Sequence, residues 1–129
     1  MSVLSIQSNF DLHRWNEAVE LQKEVCMRLG TDYYPLDPLQ NVGLSDNLDE
    51  SPLHGLRYPS DRYSGWFVWS GDFQQRDDFF RPHHAVHLLD TAPLLVKYLG
   101  LGPGYRFLID RQGYEDVWLD ESLLLSDGG

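Results

Sequence analysis

The sequence predicts a single α+β domain spanning residues 1–129, and three observations predict it. An apolar stripe recurs at helical spacing near the start, a β-prone aromatic run sits mid-chain, and a glycine-closed hairpin pattern lies near the end. With 129 residues, 42% hydrophobic and 13% aromatic, the chain suffices for one core and is crowded for two.

Residues 1–30 carry the helix. Leu12, Trp15, Ala18, Val19, Val25, Cys26 and Leu29 return at three- and four-residue steps, while Arg14, Glu17, Glu20, Lys23, Glu24 and Arg28 fill the other faces. Asn9 or Asp11 is placed to cap its start, and Gly30 to close its end in the left-handed conformation. Residues 31–52 break the pattern, because Pro35, Pro38 and Pro52 fix φ and remove donors while Gly43 adds turn chemistry. The expectation is an irregular loop whose acids Asp37, Asp46, Asp49 and Glu50 form a candidate contact surface.

Residues 53–125 read as the core of the fold. Leu53–Tyr58 forms a short strand, and Trp66–Trp69, bounded by Gly65 and Gly71, forms a second. Alternation sends Trp66 and Val68 to one face and Phe67 and Trp69 to the other, so this strand belongs inside a mixed or antiparallel sheet. His83–Leu89 suits a short helix, and Pro93 the first turn of another with Thr91 as its cap. Gly100, Gly102, Pro103 and Gly104 then turn the chain into Tyr105–Asp110, which faces Tyr114–Leu119 across Arg111-Gln112-Gly113. The helices are expected to cover one face of the sheet.

Charge excludes some functions. Ten basic against twenty acidic residues give a net charge of −10, which repels nucleic acid and anionic lipid and attracts a basic partner. No run of about 18 apolar residues marks a membrane span, and the N-terminal segment has no basic region followed by an apolar one, so a cytoplasmic location is expected. The single cysteine, Cys26, excludes an internal disulfide and reads as a small core residue.

Chemistry-bearing constellations are few. On a helix, His87 would share a face with His83 four residues before it or with His84 three before it, and Asp90 would extend that face, so the four offer metal ligands for a small hydrolase, but Ala85 and Val86 stand where a zincin carries its glutamate base. Glu115, Asp116, Asp120 and Glu121 surround Trp118, yet a strand sends Glu115 and Asp116 to opposite faces, against a two-carboxylate hydrolytic site. No serine lies in a nucleophile elbow, and the glycines of 100–104 precede a strand rather than a phosphate-binding helix. The reading is therefore a non-enzyme, with no catalytic residue, metal or cofactor.

Four segments carry a family resemblance: Gly65-Trp66-Phe67-Val68-Trp69-Ser70-Gly71-Asp72, Asp77-Asp78-Phe79-Phe80-Arg81-Pro82, Lys97 to Asp110, and Gly113 to Leu124. Together with His54-Gly55-Leu56-Arg57 they make the stretch from Leu53 to Leu125 resemble the Imm33-like immunity proteins of bacterial polymorphic toxin systems. That resemblance implies a cytoplasmic protein that protects its producer by stoichiometric binding of a toxin encoded nearby. A basic, nuclease-like toxin surface suits the acidity of the chain. The expected contact residues are Asp46, Asp49 and Glu50; Asp72, Asp77 and Asp78; and Glu115, Asp116, Asp120 and Glu121, with Trp69, Tyr114 and Trp118 as anchors. The alternatives are the histidine-cluster hydrolase and a general interaction or regulatory module.

Overall fold

A computed structural model describes residues 3–46 and 48–125. The order is α1 (Val3–Leu29), β1 (Asn41–Leu44), β2 (Leu53–Arg57), β3 (Trp66–Ser70), β4 (Arg81–His84), α2 (Leu88–Thr91), α3 (Pro93–Val96), β5 (Tyr105–Ile109) and β6 (Glu115–Leu119). Short 3-10 turns occupy Ala85–His87 and Glu121–Leu125. The α+β class is as expected.

The six strands form one mixed sheet in the order β4-β1-β3-β2-β5-β6. Only β1 and β3 run parallel; the other neighbours are antiparallel. Trp66–Ser70 is interior, as its two apolar faces require, because no edge position would shield both Trp66 and Trp69. The hairpin also forms as expected: Gly113 has φ 95°, and the Asp110 carboxylate accepts from the amides of Gln112 and Tyr114 across the loop.

One sheet face carries the main core. Val42, Leu44, Leu53, Trp66, Val68, Phe107 and Ile109 pack there against Trp15, Ala18, Val25 and Cys26 of α1 and Leu88, Leu95 and Val96 of the short helices. The buried stripe of α1 runs 15, 18, 22, 25, 26, so a glutamine sits within it, while Leu12 and Leu29 are exposed. Gln22 is tolerated because its amide donates to the Val96 carbonyl at 3.1 Å. Trp66 Nε1 reaches the Leu99 carbonyl and Arg57 reaches the carbonyls of Leu101 and Leu99, so the turn after α3 is held by side chains from two neighbouring strands of the sheet.

Four local expectations are corrected. The helix begins at Val3, so Asn9 and Asp11 lie inside it rather than at its cap. The segment 31–52 contains β1, which pairs in parallel with β3 and antiparallel with β4. His83 and His84 lie on β4 instead of a helix, because Val42 and Asn41 supply backbone partners for that stretch. Ala92, not Thr91, occupies the cap position before Pro93, and the Thr91 hydroxyl donates to the His87 carbonyl.

Candidate partner-binding surface

The register gathers distant segments at one end of the sheet. Leu53 stands beside both Ser70 and Ile109, and Ile109 beside Glu115, while parallel β1 ends where β3 ends. The chain leaving or entering these strands therefore brings Asp46, Asp49, Glu50, Asp72, Tyr114, Glu115 and Asp116 to the same end. The Arg111 guanidinium fastens this arrangement by donating to the carbonyls of Leu48 and Asp49 at 3.0 and 3.2 Å. Acids some seventy residues apart in sequence thus share a rim.

Not all of these acids are available. Glu115 points to the core face, where both oxygens take Arg28 at 2.8 Å and Oε1 also accepts the Tyr98 hydroxyl at 2.6 Å. The Arg28 hydrogen bonds, against some desolvation, hold its carboxyl down at about 2, and burial together with the bond to Glu115 pushes the Tyr98 phenol up. Asp120 accepts from Ser122 at 2.6 Å and from Arg106 at 3.1 Å, and these bonds depress its pKa while holding the last 3-10 turn. Asp46 lies within 4.0 Å of Arg76 and 3.8 Å of Arg81, and Asp78 pairs with Arg76. Asp49, Glu50, Asp72, Asp77, Asp116 and Glu121 are exposed or half-exposed and form no side-chain ion pair among the described residues.

The sheet face opposite the helices is covered only in part. A second cluster of Leu56, Trp69, Phe79 and Leu123, with Tyr58, Phe67 and Phe80 against it, lies there. Trp69 is 6% exposed, stacked on His54 at 5.1 Å and met edge-on by Phe73 and Phe80. Burial and the Arg106 cation lower the His54 pKa. Across β2, β5 and β6 the same face continues as two rows, His54–Leu108–Asp116 and Leu56–Arg106–Trp118. Trp118, 38% exposed, carries the Arg106 guanidinium over its ring. Phe73 and Tyr114 are each about half exposed.

The histidines do not converge. Successive residues of β4 project to opposite faces, which separates His83 from His84, and Asp90 pairs with Arg14 at 3.0 Å. His84 and His87 remain 5.3 Å apart ring to ring, yet among the described residues no three His, Cys, Asp or Glu side chains are grouped to hold a metal ion. No described helix is long and apolar enough to cross a membrane.

The family model for the Imm33-like domain matches residues 21–120. The chain belongs to the Imm33-like family. Neither the curated proteins nor the solved structures gave a match. The matched span opens beside Gln22 and closes at Asp120, so the Imm33-like domain takes in the last third of α1 and the whole of β1, upstream of the Leu53 where the resembling segments begin. It also holds side chains that sequence reasoning passed over: Arg28, Arg57, Tyr98 and Arg106. Arg57 is the least visible of them. Its guanidinium is buried without a carboxylate and donates to the carbonyls of Ser64, Leu101 and Tyr34 at 2.8, 2.7 and 3.1 Å. Desolvation lowers its pKa to about 10, which leaves it charged at neutral pH. Only its place in His54-Gly55-Leu56-Arg57 signalled it.

Proposed function

We propose that this Imm33-like chain is an immunity protein that neutralises one cognate toxin by stoichiometric binding, acting by occlusion rather than catalysis. The observation that carries the reading is the acidic end of the sheet, where Asp49, Glu50, Asp72 and Asp116 come from three separate segments and flank the exposed rings of Phe73 and Tyr114. Unpaired acids around aromatic anchors suit a basic protein surface, and a net charge of −10 speeds encounter with it. Asp46, Asp77, Asp78 and Glu121 extend the acidic field, and Trp118 adds an anchor. Glu115, Asp120 and Trp69 act from behind, holding β6, the last turn and the aromatic face in place.

The test is co-expression with the toxin domain encoded beside this chain. Neutralisation predicts restored growth and a one-to-one complex on size exclusion, with the toxin's activity lost in the purified complex. Growth arrest that persists at equal expression, with no complex, sinks the proposal.

A further inference from the structure

The sheet ends in two edges, β4 and β6, that differ in chemistry. In the β1–β4 ladder the Ala85 amide donates to the Gln40 carbonyl, and the register then makes Val42/His83 and Leu44/Arg81 the bonded pairs. Pro82 and His84 occupy the outward positions, and Pro82 has no N–H to offer. A four-residue strand with proline at an outward position is a closed edge.

The β6 edge is open. The Asp120 amide donates to the Gly104 carbonyl and the Asp110 amide to the Tyr114 carbonyl, which makes Asp116 and Trp118 the residues bonded to β5. The backbone N–H and C=O groups of Glu115, Val117 and Leu119 therefore point away from the sheet, and among the described residues no backbone group outside the strand pairs with them. The strand is five residues long and contains neither proline nor lysine. Around it cluster exposed Tyr114, Trp118, Leu119 and Leu124.

We propose that β6 accepts a strand of the partner protein as a seventh strand of the sheet, one carrying lysine or arginine opposite Asp116. This rests on the proposed toxin binding and gives it a geometry. Main-chain hydrogen bonds from Glu115, Val117 and Leu119 supply the pairing, and alternate side chains supply the selection. Glu115 is already neutralised by Arg28, so Asp116 is the one charge of the strand without an ion-pair partner among the described residues, and it calls for a cation across the new pair. A second copy of this chain fits worse, since each copy brings a charge of −10 to the contact.

The experiment measures residue-resolved amide hydrogen exchange on the wild-type chain, free and bound to the co-expressed toxin domain. In the free chain, Val117 and Leu119 exchange fast while Trp118 is slow; in the complex, Val117 and Leu119 slow by about tenfold or more. A pair of variants gives a second readout: Leu119→Pro removes an outward donor that Leu119→Ala keeps, so the proline variant binds at least about tenfold more weakly than the alanine variant. Should a silenced one-to-one complex leave both amides fast and both variants equal, strand addition is overturned while toxin binding stands. If no complex forms, the functional reading fails and strand addition falls with it. A free chain that is already dimeric, with both amides slow, overturns the choice of partner.

Discussion

Replacing Glu115 by Gln separates an acid that holds the fold from one that meets a partner. Its carboxylate takes two hydrogen bonds from Arg28 at 2.8 Å and one from Tyr98 at 2.6 Å, joining the end of α1 to the edge strand β6. A carboxyl held at about 2 instead of the ordinary 4.5 corresponds to roughly 3 kcal/mol at neutral pH. Arg28 is 52% exposed and Glu115 25%, so solvent screening reduces this to about 1–2 kcal/mol. The sign follows from the depressed folded pKa: the unfolded chain takes up the proton first, so the stabilisation is complete above about 4.5 and is lost as pH falls toward about 2. Urea denaturation near neutral pH is expected to show E115Q less stable by about 1–2 kcal/mol, with the gap closing as the buffer is taken toward pH 2. A gap that keeps its size in acid, or no gap at neutral pH, would refute the assignment of Glu115 to an internal ion pair.

Arg57→Met keeps much of the side-chain volume but strands the carbonyls of Ser64, Leu101 and Tyr34, and is expected to cost about 3–5 kcal/mol in a denaturant titration. Gly55→Ala places a Cβ into the Phe107 ring across the β2–β5 pair; a loss of about 1–3 kcal/mol is expected, seen as a lower Tm by calorimetry. Reversing Asp72 and Asp116 together to Lys leaves circular dichroism and Tm nearly unchanged, because neither side chain has an ion-pair partner among the described residues. Stopped-flow association with the toxin domain at low salt is then expected to slow by about tenfold, and to become less salt-dependent.

Elements with strong local grammar were legible in the sequence. The helix announced itself by spacing, Trp66–Trp69 by apolar residues on both faces, and the hairpin by Arg111-Gln112-Gly113. β1 and β4 were not, because Asn41-Val42-Gly43-Leu44 and Arg81-Pro82-His83-His84 have little β-propensity of their own. They become strands because β1 finds β3 in parallel and β4 then finds β1, pairings that span residues far apart in the chain. The histidine reading failed for the same reason, since a helical face was assumed where long-range pairing imposed a strand. Of the surface, the acidic segments were legible one by one, but their meeting at one end of the sheet depends on register. Nor does spacing tell that Glu115 faces Arg28 while Asp116 faces solvent; that depends on which face of β6 the helix covers.

The distribution of cations explains how a chain of ten basic residues presents so acid a surface. Arg14, Arg28, Arg76, Arg81 and Arg106 lie against carboxylates of the chain, and Arg57 and Arg111 against backbone carbonyls. That set is seven of the eight arginines, all but Arg62. The guanidinium suits this use because its several donors satisfy two or three oxygens at once and it stays charged when partly desolvated. Each such contact consumes positive charge in joining elements: Arg14 ties α1 to α2, Arg28 ties α1 to β6, and Arg111 ties the β5–β6 turn to the loop before β2. The acids left over are those no internal arginine reaches, and several of them stand at one end of the sheet because the arginines that order the loops there bind carbonyls or Asp46 instead. Holding the fold with arginine and leaving carboxylates unpaired are thus two sides of one arrangement. A partner that supplies lysine or arginine completes ion pairs that the chain cannot make for itself.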